Sequence, residues 1–246
     1  MFDYNISLAG WGILLLSGFF IGLSKTGIPG IGMLAIAMTA LAIPARISTG
    51  VILPMLILGD LFAVVYYRKN ACWRYLAKPI PWAICGIILG YLALGKLNDQ
   101  QLGSIIGFIV IVMITFNETD ILHRYNIPEK WWFASGIGLC AGFTTMIANA
   151  AGPIMIIYLL AMKLPKKEFI GTSAWYFFLI NWFKVPFSMN LGLINSHSLL
   201  LNLEIAPAVI IGAITGIYLI KAIPQKVFEA IVKFLTVIAA IKLVIG

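Results

Sequence analysis

Ionisable side chains are what this sequence has least of. Nine Asp and Glu and seventeen Lys and Arg make up 11% of its 246 residues, where a soluble domain carries about 25%. Away from segment ends, Asp60 is the single carboxylate of the apolar stretches, so no pair of buried acids is available for acid–base catalysis. H-E-x-x-H and G-x-S-x-G are both missing, which leaves an intramembrane enzyme without a recognisable centre. The two histidines, His123 and His197, fall between apolar stretches. Cys72, Cys85 and Cys140 are scattered, with no CxxC pair and no histidine at ligand spacing. A disulfide framework and a zinc site are therefore excluded, and no metal or cofactor is expected. The opening MFDYNISLAGWG has no Lys or Arg before its apolar run, unlike a cleaved signal peptide, and is expected to stay as a first membrane segment.

Apolar surface is what the chain has instead: 61% of its residues are hydrophobic. They come in blocks close to the roughly 20 residues that cross a 30 Å hydrocarbon core. Ten segments are predicted, at 6–23, 28–44, 48–66, 80–95, 102–117, 131–147, 150–162, 171–190, 204–220 and 227–245. The first two are separated only by SKTGIPG, and the sixth and seventh only by the TTMIANAAGP region, so both pairs read as broken or re-entrant helices. The net charge of +8 lies mostly between segments, where membrane orientation explains it and nucleic acid is not required. With the N-terminus outside, Arg68, Lys69, Arg74, Lys78, Arg124, Lys130, Lys163, Lys166, Lys167, Lys221 and Lys226 fall on the cytoplasmic side, and only Arg46, Lys96 and Lys242 opposite.

The chain also repeats itself. Gly22 aligns with Gly142, Pro44 with Pro165, Gly50 with Gly171, Asp60 with Asn181, Gly86 with Gly212 and Gly90 with Gly216, at offsets that drift from 120 to 126. Two halves, 1–120 and 121–246, follow. Five segments per half is an odd number, so the second half enters from the opposite side. The predicted fold is all-α: a polytopic membrane protein of two inverted repeats, whose substrate sites form where broken helices of the halves meet.

Chemistry concentrates at the two breaks. In Ser24-Lys25-Thr26-Gly27-Ile28-Pro29-Gly30 the glycines loosen the helix, and Pro29 suits the first turn of a new one beginning near Ile28. Thr144, Thr145, Asn149 and Gly152, with Pro153 opening the next segment, are the matching parts of the second half. Helix starts turned inward, with Lys25 beside them, suit a small oxyanion. A charge at mid-membrane costs about 2.5–3.5 kcal/mol and needs a reason. Asp60 and Lys184 lie at comparable depth on segments three and eight. Either they form an ion pair, or Asp60 is a proton-carrying or gating carboxylate and Lys184 a second substrate-attracting cation. Asn181, one turn before Lys184, can bond the ligand or join helices. Trp175, in G-T-S-A-W after Gly171, packs over the site or sits in the interfacial belt.

Leu41 to Gly50 (LAIPARISTG), and Met162 to Ser173 (MKLPKKEFIGTS) with Pro165, Gly171, Thr172 and Ser173 near the spacing P-x-x-x-x-G-T-S, resemble the TauE/SafE family of sulfite and organosulfonate permeases over nearly the whole chain. The resemblance implies gradient-linked movement of sulfite, sulfoacetate or a similar sulfonate across a bacterial cytoplasmic membrane, and the asymmetry of the basic residues puts both termini on the extracytoplasmic side. The partners expected are the small anion and the bilayer, with a homodimer left open. A passive anion channel is the main alternative and an intramembrane enzyme the next.

Overall fold

The computed structural model describes residues 6–43, 45–93, 130–224, 226–228, 230–231 and 234. These residues form helices and short 3-10 turns, with no strand among them. Eight α-helices follow in order: α1 Leu8–Thr26, α2 Ile31–Ala42, α3 Ala45–Tyr67, α4 Pro79–Ala93, α5 Trp131–Ala148, α6 Gly152–Ala161, α7 Lys166–Asn190 and α8 Ser196–Ala222. The expected segment 102–117 lies outside the described residues, and so does most of 227–245. Four stretches, Leu8–Thr26, Ser48–Asn70, Trp131–Ala148 and Ser196–Ala222, are long and apolar enough to cross a membrane. α2 and α6, with 12 and 10 residues, are too short to cross, as broken helices are.

Two helices begin well ahead of expectation. α7 begins five residues early because Lys166, Lys167 and Glu168 form its first turn. α8 begins at Ser196, eight residues early, because Asn195 and Ser198 close a reciprocal capping box that starts the helix ahead of its apolar run.

Buried side chains gather in two large clusters, with a small third one of Ala63, Val64 and Ala174 between α3 and α7. One joins α1, α2, α3 and α8 through residues such as Leu14, Ile21, Val51, Ile205 and Val209. The other joins α4 to α7 through Ala83, Ile87, Ile137, Ile154 and Tyr176. Each cluster therefore includes one helix lent by a distant part of the chain: α8 packs on α1, and α4 on α5. Trp82, Leu89, Leu92, Trp182, Leu203, Ile211 and Tyr218 are exposed on the outside, a surface that hydrocarbon solvates and water does not.

The two lent helices are seated in the same way. A side chain on Gly22 would collide with the carbonyl of Val209, and one on Gly212 with that of Phe19. A side chain on Gly142 would collide with the carbonyl of Ala83, and one on Gly86 with that of Leu139. Each contact of the α1–α8 pair thus has a counterpart in α5–α4, at the offsets of 120 and 126 found in the sequence. α1 runs parallel to α8, since Gly18 meets Ile205 and Gly27 meets Gly216; α4 runs parallel to α5, since Pro79 meets Gly138 and Gly90 meets Met146. α3 and α7 cross antiparallel: Gly50 abuts Leu193 beyond the end of α7, and Gly171 abuts Tyr67 and Asn70 beyond the end of α3.

Small residues at these crossings let backbones touch, which is the main source of helix association in lipid. Gly22→Ala and Gly142→Ala are each expected to cost about 1–3 kcal/mol by overpacking, with similar drops in the melting temperature of the detergent-solubilised protein. An unchanged melting temperature for either would contradict the packing described.

Candidate functional site

Between the clusters, where α3 crosses α7, a cavity is lined by residues of both breaks: Ser24, Lys25, Pro29, Gly30 and Gly32 from the first, and Thr145, Asn149 and Gly152 from the second. Asp60 of α3 and Ser173, Phe177 and Asn181 of α7 complete its polar and aromatic wall. Its volume is about 60 Å³, several times the ~10–15 Å³ that one water occupies on the same measure. A small ion with a few waters fits, and a large solute does not.

The first break differs from its expected form. α1 continues through Thr26, Ile28 N–H bonds back to the Leu23 carbonyl, and α2 starts at Ile31, not near Ile28. Pro29 therefore lies in the turn, and Gly30, at φ 103°, makes the reversal that a side chain would oppose. In the second break the left-handed residue is Asn149, at φ 53°, while Gly152 and Pro153 open α6 as proline's missing N–H permits. Asn149 ends α5 by donating its N–H to the Thr145 carbonyl. Neither α2 nor α6 has a side-chain N-cap, so no side chain at these starts meets their first-turn amides.

The charges arrange themselves differently from the anticipated Asp60–Lys184 pair. Asp60 is fully buried and forms its ion pair with Lys25, whose Nζ is 2.7 Å from Oδ1. Gly59 makes room for the lysine stem: a side chain there would meet Lys25 Cγ and Cβ. The Lys25 ammonium also sits 4.3 Å from the centre of the Phe177 ring, which is cation–π range. The other oxygen of Asp60, Oδ2, accepts from Asn181 Nδ2 at 2.7 Å. These two residues, 121 apart in the sequence, bond to each other where α3 crosses α7. An ionised carboxylate can only accept, which turns the Asn181 oxygen away; that buried oxygen has no partner.

Lys184 is just 1% exposed. Its ammonium donates to Thr145 Oγ1 at 3.0 Å and to Asn149 Oδ1 at 2.6 Å, neutral oxygens both. Asn149 is held in turn by donating Nδ2 to the Thr49 carbonyl at 3.4 Å. Lys184 is thus a buried cation fixed by two cavity-lining residues, with no carboxylate in contact among the described residues. Such a charge is costly unless something neutralises it.

Other anticipated site residues have different surroundings. Thr26 donates to the Ala213 carbonyl at 2.6 Å, and Gly27 packs on Gly216; both join α1 to α8. Thr144 bonds to the Ala141 carbonyl within α5. Trp175 stacks against Trp73 and Phe178 and does not line the cavity. Phe177 was not anticipated. Its signal was helical spacing: Ser173, Phe177, Asn181 and Lys184 follow at i, i+4, i+8 and i+11, one face of α7.

Compared with known families, residues 14–243 match the one described as "Sulfite exporter TauE/SafE". Comparison with curated proteins finds no match, and comparison with solved structures finds none either.

Proposed function

Because the chain belongs to the TauE/SafE sulfite exporter family, we propose that it is a secondary carrier of a small sulfur-containing anion, sulfite or a short sulfonate, across the bacterial cytoplasmic membrane. One observation carries this reading: a buried ammonium, Lys184, is held behind the cavity wall by the lining residues Thr145 and Asn149, and among the described residues only these neutral oxygens bond to it. The uncapped starts of α2 and α6 add amide donors and the positive ends of two helix dipoles. A small anion bound here would neutralise that charge. Ser173, and Ser24 with its hydroxyl on the Ile21 carbonyl, add further polar contacts at the same depth.

Two inverted halves, 1–120 and 121–246, are the architecture this transporter would use, alternately exposing the site between them. The antiparallel crossing of α3 and α7, the Asp60–Asn181 bond and the matched glycine contacts support it. The basic 3-10 turns after α3, Arg68–Asn70 and Trp73–Tyr75, then lie in the cytoplasm and both termini outside. Labelling of cysteines introduced between Arg68 and Lys78 is expected only after permeabilisation, and labelling of intact cells would reverse the topology.

Proteoliposome flux with sulfite, sulfoacetate, taurine, thiosulfate and acetate, with and without a pH gradient, tests the activity. Saturable uptake of a sulfur oxyanion, inhibited by its competitors, is expected. Flux far above carrier rates without inhibition would make the protein a channel, and chemical conversion of the substrate in detergent would make it an enzyme.

A further inference from the structure

We infer that the cavity holds a constant total of two negative charges, so that a dianion binds together with one proton on Asp60 while a monoanion binds with none. This rests on the cavity being the anion site. Lys25 is the one basic residue on the cavity wall among the described residues, and Lys184 stands behind that wall, bonded to the lining residues Thr145 and Asn149. Against them stand Asp60 and whatever anion enters.

Among the described residues few ionisable groups approach Asp60, and Lys166, Lys167 and Glu168 lie in the first turn of α7, well before Asn181. α1 presents Lys25, α7 presents Asn181 and Lys184, and α2 has no ionisable residue. On α8, His197, Glu204 and Lys221 are exposed, as are Arg68 and Lys69 beyond α3. Among the described residues, Asp60 is the one carboxylate on the cavity wall.

With a monoanion bound and Asp60 ionised, two positive charges face two negative ones. A dianion with Asp60 ionised would put three negative charges against two positive in a site walled by Ile36, Leu56, Ile156 and Ile170. Low dielectric makes such an excess expensive. A proton taken from solvent onto Asp60 restores the balance, and the groups that follow it are already adjacent. Lys25, released from the carboxylate, keeps its contact with the Phe177 ring and can turn to the anion. The protonated Asp60 becomes a donor, for which the unpartnered Asn181 oxygen is the acceptor after rotation of the amide. Both substrate classes then leave the loaded site with the same net charge, and proton coupling becomes a property of the anion and not a fixed property of the protein. By linkage, protonation and dianion affinity must favour each other equally.

Thiosulfate and methanesulfonate test this, because they keep charges of two and one across neutral pH. Titration calorimetry of the purified protein in buffers of different ionisation enthalpy is expected to read uptake of about one proton per thiosulfate and none per methanesulfonate. Thiosulfate affinity should fall about tenfold per pH unit over the range where its binding takes up that proton, as one coupled proton requires, while methanesulfonate affinity stays flat. Asp60→Asn, neutral at every pH, is expected to bind thiosulfate without proton uptake and to raise its preference over methanesulfonate at least tenfold. Lys184→Met should do the converse, making methanesulfonate binding take up a proton. Equal proton uptake for both anions, or none for either, would overturn the inference while leaving the site intact. Failure of the parent protein to bind any of the sulfur oxyanions would remove the site and this inference with it.

Discussion

Lys25→Ala is expected to cost about 3–5 kcal/mol, the usual consequence of leaving one partner of a buried ion pair alone. The value follows from Asp60, which is fully buried and has Lys25 as its ion-pair partner; the Asn181 amide can offset only part of the loss. Where the variant folds, its unpaired carboxylate faces the cavity and repels the ligand, so anion affinity should fall at least tenfold, or roughly 1.4 kcal/mol. Lys25→Ala with Asp60→Asn removes the charge as well as its partner and should recover most of the stability. Thermal unfolding and binding isotherms on the single and double variants separate these effects. A single variant as stable as the parent, or a double variant no better than the single, would show that the pair does not act as a unit.

Part of the arrangement was legible in the spacing of the glycines. The offsets of Gly22 with Gly142 and of Gly86 with Gly212 marked residues that the fold uses for close helix contact, since backbone approach tolerates no side chain wherever it occurs. Lys25, Asp60 and Lys184 stood out because charge inside an apolar run demands a partner. Which partner each takes was not legible. Depth along segments three and eight put Asp60 level with Lys184, but depth does not give the rotation of a helix about its axis. That rotation turns Lys184 toward the left-handed turn at Asn149 and leaves Asp60 to α1. The start of α2 was misjudged for a related reason: Pro29 resembles a first-turn proline, whereas Gly30 makes the reversal and the helix begins after it. Phe177 was hidden as one of fifteen phenylalanines, with only its spacing from Ser173 and Asn181 to distinguish it. Thr26, Gly27 and Thr144 share the polar character of site residues, yet helix-to-helix and within-helix bonds account for their side chains and backbones.

The two lysines are expected to separate most clearly in their effects on binding. Lys25 is neutralised by Asp60, so replacing both with Met and Asn leaves the formal charge of the empty cavity unchanged. Lys184 is matched only by Thr145 and Asn149, so Lys184→Met removes the cavity's whole excess of positive charge. A cation ~5–6 Å from a bound anion, at an effective dielectric near 20, attracts it by about 3 kcal/mol. That corresponds to a change in Kd on the order of a hundredfold. Methanesulfonate binding should therefore weaken about a hundredfold in Lys184→Met and less than tenfold in Lys25→Met with Asp60→Asn. Stability should run the other way. Exchanging a buried, carboxylate-free ammonium for an apolar side chain of similar volume is neutral or stabilising, so Lys184→Met should melt no lower than the parent. A lysine kept for folding would show the opposite pattern, with a lower melting temperature and intact affinity, and that result would move the anion's charge partner away from Lys184.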